Sequence, residues 1–166
     1  MSSKHIAQMM LACLLVVLGL VVLPVMAQDM PPLPGDLVLG DLDAPRGLAF
    51  DANGNLLVAV AGNGGEIALS MPGPEGEMSF QLGMSGRIVS IAADGTATDM
   101  IPGLPSYASP SETTGIYRVI PQGDALWLVF SGAGSANPGA YWMDSVVELD
   151  AATLSVRRVI NLNAFE

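Results

Sequence analysis

One arrangement of short apolar segments and turns occurs twice along this chain, and it constrains the fold more than any other feature of the sequence. The first repeat spans residues 47–101 and the second spans residues 115–160. In both repeats, β-rich segments are separated by turns rich in Gly, Asn, Asp or Pro, and the apolar residues show no helical period. The pattern therefore predicts an all-β domain built of antiparallel hairpins.

Each repeat predicts four strands, and the strands of the two repeats correspond in order. The predicted strand at residues 97–101 has a weaker pattern than its counterpart at residues 155–160. A lone short strand is also predicted at residues 37–39, as a closing strand that completes the outer edge of another group of strands. The corresponding strands are residues 47–50 and 115–120, 56–62 and 125–132, 87–91 and 145–149, and 97–101 and 155–160.

Four consecutive antiparallel strands, repeated, are typical of the blades of a β-propeller. A blade cannot bury both of its faces alone, so blades stack into a ring of typically 4 to 8. The two repeats therefore predict an incomplete propeller of about two blades, a fragment of a larger ring. A self-contained sandwich or small barrel of eight or nine strands also satisfies the spacing of the turns, and this alternative stays open.

The start of the chain has the order of a secretory signal peptide. Lys4 precedes an apolar run at residues 6–25, and Val25 and Ala27 supply the small residues of a cleavage site. We therefore expect a signal helix that is cut after Ala27, and a secreted or extracytoplasmic protein, at the cell surface or in the periplasm. An uncleaved anchor is the alternative, since about 20 apolar residues can cross a bilayer. The predicted organisation is a signal peptide at residues 1–27, a Pro-rich linker at 28–35 and a partial propeller domain at 36–166.

The positions of cysteine and histidine exclude several classes of enzyme. Cys13 and His5 are the single examples of each residue, and both lie in the predicted leader. The domain after residue 27 therefore has no Ser-His-Asp or Cys-His machinery, no zinc site with His or Cys ligands, no haem ligation through His and no disulfide.

The charge of the chain disfavours polyanionic partners. The formal net charge is −10, and after residue 27 five arginines stand against 16 acidic residues, which leaves −11. Such a surface repels nucleic acids, and a membrane would be contacted through the N-terminal segment if that segment is not cleaved. Calcium held by carboxylates stays possible as a cofactor. The turn Asp51-Ala52-Asn53-Gly54-Asn55 offers several oxygens, but it fits a hairpin turn better than a calcium loop, which needs about 12 residues.

Residues 42–59 are similar to the opening blade of NHL-type propellers, in which a Pro-x-Gly strand is followed by a Gly-Asn-hydrophobic strand. Over residues 36–166 the chain more closely resembles the ScyD/ScyE family. The segments that carry this resemblance are Ala61-Gly62-Asn63-Gly64-Gly65, Pro72-Gly73-Pro74-Glu75-Gly76-Glu77, Ser85-Gly86-Arg87-Ile88, Gly103-Leu104-Pro105-Ser106 and Thr114-Gly115.

The resemblance implies an exported propeller of about six blades. The family takes its name from members encoded with the genes for scytonemin, a cyanobacterial sunscreen pigment. The resemblance does not imply a particular biochemical role. The match would account for the first third or so of a full-length member. Family members often carry cysteines beside the Pro-Gly-Pro-Glu-Gly insertion. Here Ser70 and Ser79 occupy the neighbouring positions, so a disulfide in that loop is not expected.

Three residues are candidates for facing a ligand. Arg46 precedes the innermost predicted strand of a blade and would point toward the central opening, although pairing with Asp41 or Asp43 is the favoured interpretation. Tyr141 and Trp142 offer aromatic surface for sugars or polyphenols.

Two further features bear on ligand binding. Trp127 alternates with leucines, which favours a place in the core over a place on a ligand surface. The segment at residues 62–86 is too long for a plain hairpin and is predicted to be a binding loop.

These observations favour a non-catalytic module that binds an unknown small molecule, glycan or protein through one mouth of a ring. A propeller enzyme is the alternative, such as a calcium-dependent lactonase or a quinoprotein-like dehydrogenase, with an active site mostly outside this chain. A structural or adhesive repeat protein is a third possibility. No residue is predicted to be catalytic.

Overall fold

The computed structural model describes residues 35–73, 76–131 and 142–165. Contacts group Leu37–Glu166 into one compact unit. The predicted signal peptide and all but the last residue of the predicted linker lie outside the described residues. The described part contains strands, turns and one short 3-10 helix, η1 (Leu162–Phe165), so the prediction of an all-β domain is confirmed.

Within the described residues, nine strands form an antiparallel sheet, and eight of them match the eight strands predicted for the two repeats. The unpredicted strand is β3, which pairs with the first half of an unusually long β4. The strands are β1 (Pro45–Phe50), β2 (Leu56–Val60), β3 (Ile67–Gly73), β4 (Gly76–Ile91), β5 (Ala97–Ala108), β6 (Thr113–Gln122), β7 (Ala125–Phe130), β8 (Ser145–Asp150) and β9 (Val156–Asn161).

The sheet consists of two groups of four strands, which we call the first and second meanders. The first meander is β1-β2-β4-β5 and the second is β6-β7-β8-β9. They are joined where the end of β5 pairs with the start of β6, at Ser106 and Gly115. Among the described strands, β1 and β9 are the two ends of the sheet and do not pair, so the sheet is not closed.

The second meander packs over one face of the first. Because successive side chains of a strand point to opposite faces, every second residue of β2 and β7 contributes to the contact. The side chains of Leu57, Leu128 and Phe130 in this core are at most 2% exposed. The buried residues of this main cluster are Leu57, Ala59, Ile88, Leu104, Ile116, Val119, Leu126, Leu128, Phe130, Val147 and Leu149.

A second apolar cluster lies on the opposite face of the first meander. It consists of Val58, Val60, Val89 and Ile91, with Leu39 and Leu42 packed against it. The predicted strand at residues 37–39 falls in this segment but is not a strand in the structure. The segment is held by leucine side chains, and no described strand pairs with it.

The turn between β1 and β2 has the hydrogen bonds expected of a hairpin turn. The Oδ1 atom of Asp51 accepts hydrogen bonds from the backbone N–H groups of Asn53 and Asn55, at 2.9 and 2.8 Å. Gly54 adopts a positive φ of 82°. Burial raises the pKa of Asp51, but the hydrogen bonds from Asn55 and Asn53 outweigh it and hold the pKa below its ordinary value. The carboxylate is thus engaged by its own turn.

The segment predicted to be a long binding loop is a β-hairpin for most of its length. β3 and the first part of β4 pair from Ile67 with Leu82 to Gly73 with Gly76. Residues 61–66 connect β2 with β3, which both pair with the same edge of β4, and they pass over the backbone of β4 at Gly83. We call this passage the crossing. A Cβ atom on Gly83 would lie 2.4 Å from the carbonyl oxygen of Gly64. Glycine at these positions therefore permits the crossing that folds the segment into a hairpin.

Candidate functional site

An apolar pocket of about 430 Å³ lies between the β3–β4–β5 part of the sheet and the segment that precedes β8. We call it the β4–β5 pocket. Its size falls within the range of small-molecule sites. Its lining residues are Ile67, Leu82, Gly83, Met84, Gly103, Leu104, Pro105, Tyr107, Trp142 and Met143.

The lining residues differ strongly in exposure, which gives the pocket an interior and a rim. Leu104, Tyr107 and Met143 are buried, at 2–4% exposure. Ile67 and Met84 are large apolar residues that remain 58% and 62% exposed. Exposed apolar side chains next to a buried apolar wall are a favourable surface for an apolar ligand, because binding removes them from water.

Of the two aromatic residues predicted to face a ligand, Trp142 lies within the described residues and lines this pocket. Its ring meets Phe130 edge to face, with ring centroids 5.5 Å apart and an interplanar angle of 82°. This contact ties Trp142 to the main core and fixes the orientation of its indole. Tyr141, the other aromatic candidate, lies outside the described residues.

The side chains that line the β4–β5 pocket carry no charge. None of the described lining residues is an Asp, Glu, Lys or Arg. Burial raises the pKa of the Tyr107 phenol above its ordinary value, so this residue stays neutral at physiological pH. Tyr107 and Trp142 are the lining residues whose side chains carry a polar group, and each can donate a hydrogen bond. The arrangement suits a neutral, largely apolar molecule.

A buried polar contact holds the glycine crossing beside the pocket. The backbone N–H of Gly64 donates to the hydroxyl of Ser106 at 2.9 Å, and Ser106 is fully buried on β5. Ser85 donates to the carbonyl oxygen of Gly64 at 2.7 Å and accepts from the backbone N–H of Asn63 at 3.0 Å. These bonds join the crossing to β4 and β5, two of the strands that supply pocket residues. Ser85 and Ser106 are far from Gly64 in the sequence and form no motif with it, so this contact could not be predicted from the sequence.

Arg46 lies in a separate and more polar cleft. It is exposed, its guanidinium donates to the carbonyl oxygen of Thr113, and the cleft of about 670 Å³ is lined by both residues. The favoured pairing of Arg46 with Asp41 or Asp43 is not formed within the described residues. Asp43 instead lies 3.9 Å from Arg87. The structure therefore does not place Arg46 and Trp142 in one site.

Trp127 lies on the outer face of the second meander and is only partly buried. The Arg158 guanidinium lies 5.4 Å from the centre of its ring, and Glu148 holds that guanidinium at 2.6 Å. The three residues form a row across β7, β8 and β9. Trp127 thus lies outside both the main cluster and the β4–β5 pocket.

No group of three or more His, Cys, Asp or Glu is placed to hold a metal ion within residues 35–73, 76–131 and 142–165. None of the helices in these ranges has the length and apolar character to span a bilayer.

The chain matches no protein-family model, and no curated protein or solved structure matches it significantly.

Proposed function

We propose that this chain is an exported binding module of the β-propeller type whose β4–β5 pocket holds a small molecule with a flat, apolar body. The observation that carries the ligand class is the neutral lining, which combines a buried wall at Leu104 and Met143 with an indole fixed by Phe130. The propeller assignment agrees with the resemblance to the ScyD/ScyE family in the sequence.

The distribution of apolar residues supports a propeller over a two-layer sandwich. In a sandwich, each sheet has one apolar inner face and one polar outer face. Here the first meander carries a buried apolar cluster on each of its faces. The outer face of the second meander also carries apolar side chains, among them Val129 and Val146. Sheets that are apolar on both faces are expected where sheets stack in series around a ring.

The lining of the pocket also indicates which chemical groups the ligand should lack. A carboxylate or phosphate would meet no cation in the lining and would lose its hydration on entry. A sugar would leave most of its hydroxyl groups without partners on side chains such as Leu82 and Met84. A flat aromatic or conjugated molecule, with one or two acceptors for the donors of Tyr107 and Trp142, fits best.

The test is a titration with N-phenyl-1-naphthylamine, a neutral, flat aromatic probe whose fluorescence rises in apolar surroundings. The protein is expressed from the full sequence, and thermal melting confirms that each variant is folded. We expect saturable one-to-one binding with a Kd of about 1–50 µM. The variant Leu82→Glu places a carboxylate in the lining and should weaken binding at least about tenfold.

The matched control is Gln81→Glu, which makes the same change of charge at the next residue of β4. Gln81 is exposed and does not line the pocket, so its variant should bind the probe like the unmodified protein. Probe binding that does not saturate, or that is equal in the Leu82→Glu and Gln81→Glu variants, would refute the proposed ligand site.

A further inference from the structure

Each meander has two faces, and the repeat allows equivalent positions on them to be compared. We call the face that carries Leu57 in the first meander the front face, and the opposite one the back face. Leu57 corresponds to Trp127 in the second meander, because each lies three residues before the residue, Val60 or Phe130, at which a β-bulge shifts the pairing with the first strand of its meander. The other front pairs are Ala49 and Ile120, Ala59 and Val129, and Ile88 and Val146; the back pairs are Leu48 and Val119, Val58 and Leu128, Val60 and Phe130, and Val89 and Val147.

Within the molecule, the back face of the second meander covers the front face of the first. Leu57, Ala59 and Ile88 on the front face have no exposed surface. They share one cluster with back-face residues of the second meander, including Leu128 and Phe130. The contact between the meanders is therefore a front-to-back contact.

The front face of the second meander carries apolar residues at the equivalent positions but remains partly open. It also carries the Glu148–Arg158 ion pair beside Trp127. Trp127, Val129 and Val146 are partly exposed, whereas their counterparts in the first meander are fully buried. Ile120 is 42% exposed, while its counterpart Ala49 packs against the main cluster. Apart from Glu148 and Arg158, this face thus presents apolar side chains that are less covered than their counterparts in the first meander.

The back face of the first meander is open along β1, whereas Val58, Val60 and Val89 on its other strands are at most 4% exposed. Leu48 is 67% exposed, although its counterpart Val119 is only 1% exposed because it packs between the meanders. Leu39 and Leu42 pack against another part of this face. They belong to residues 37–42, which form no strand and make no backbone–backbone hydrogen bond with another described residue. Few interactions therefore hold residues 37–42 on this face.

From the partly open front face of the second meander and the weakly held cover of this back face, we infer that the chain associates head to tail with a second copy of itself. The front face of the second meander in one copy packs on the back face of the first meander in the next, and Leu39 and Leu42 move aside. This arrangement repeats the front-to-back contact already present within each copy and covers Ile120 and Leu48. A contact between two different surfaces can be repeated, so it closes into a ring or grows into an open chain.

The test measures mass by light scattering during size-exclusion chromatography, over protein concentrations of about 5–500 µM. The protein is expressed from the full sequence. Ile120→Lys blocks the front face of the second meander, and Leu48→Lys blocks the back face of the first. Because both residues are exposed, the lysines should not prevent folding. Leu162→Lys is the control, since Leu162 is 44% exposed and lies in η1, outside both meanders.

We expect the unmodified protein and the Leu162→Lys variant to form assemblies larger than a dimer. Each of the other two variants should be monomeric alone, with association weakened at least about tenfold. Mixed together, they should form a one-to-one dimer, because each retains the face that its partner needs. A double Leu39→Ser, Leu42→Ser variant of the protein should associate at lower concentration than the unmodified chain.

Three results would overturn the inference. The first is an unmodified protein that stays monomeric over the whole range. The second is a Leu48→Lys variant that still dimerises alone, which would mean that two front faces meet symmetrically. The third is a mixture of the two lysine variants that remains monomeric.

Discussion

Gly47 on β1 lies directly against the backbone of Tyr117 on β6, and this contact joins the first strands of the two meanders. A Cβ atom on Gly47 would lie 2.6 Å from the carbonyl oxygen of Tyr117. The same atom would lie 3.2 Å from the Cα atom of Arg118. Because backbone atoms on both sides limit the space, no side chain fits here without separating the strands.

The first prediction is that Gly47→Ala destabilises the protein by about 2–3 kcal/mol, since the added methyl group forces the two backbones apart. The midpoint and slope of urea unfolding measure the loss. Gly40→Ala is the control, because its Cβ atom would meet only a Leu37 methyl group at 3.7 Å. The control should change stability by less than about 0.5 kcal/mol. Equal stability of the two variants would contradict the close approach of β1 and β6.

The second prediction concerns the hydrogen bond from Gly64 to Ser106. Ser106→Ala removes the acceptor and leaves the buried N–H of Gly64 without a partner, which should cost about 1–3 kcal/mol. Urea unfolding again provides the measurement. Ser79→Ala, on the exposed part of β4, should differ from the unmodified protein by less than about 0.5 kcal/mol. If Ser106→Ala were equally neutral, the crossing would not depend on this bond.

The third prediction follows from Asp150, at the turn between β8 and β9. A hydrogen bond from the backbone N–H of Thr153, with another from the guanidinium of Arg157, lowers the pKa of Asp150 from 3.8 to about 2. Since the folded protein holds the proton less tightly than the unfolded chain, this group stabilises the fold above about pH 4, and its contribution is lost as the pH falls toward about 2.

The Asp150→Asn variant removes this contribution. Urea midpoints measured between about pH 2 and pH 5 should show a shallower loss of stability with acid than in the unmodified protein. Glu66→Gln is the control, because Glu66 is exposed and forms no ion pair with another described residue. Its curve should parallel that of the unmodified protein. An Asp150→Asn curve that is equally steep would show that Asp150 does not contribute in this range.

The strand pattern and the turns could be predicted because their causes are local. Alternating apolar residues in β7 and a Gly-containing turn between β1 and β2 specify strands and hairpins from a few neighbouring positions. The hairpin of β3 and β4 was not predicted, because this segment is rich in Gly, Pro and Met and shows only a weak alternation of apolar and polar residues. It depends on the crossing at Gly64, which the sequence does not reveal.

The pocket could not be predicted as a unit because its residues are distant in the sequence. Ile67, Leu104 and Trp142 come together only through the extension of β4 and β5 beyond the regular meander. The sequence did indicate Trp142 as a candidate for ligand contact, from its aromatic character. Nothing in the local pattern connected it with Leu82 or Tyr107. Such a site becomes visible only after strand register is known.

The most direct test of the proposed ligand site uses methionine methyl groups as reporters inside the folded protein. Met84 and Met143 line the β4–β5 pocket, whereas Met100 packs against the main core and does not line it. In a protein with ¹³C-labelled methionine methyl groups, titration with N-phenyl-1-naphthylamine should shift the Met84 and Met143 resonances together. The shifts should saturate at the Kd found by fluorescence and leave the Met100 resonance unmoved. Probe binding that leaves Met84 and Met143 unshifted would contradict the assignment of the pocket as the ligand site.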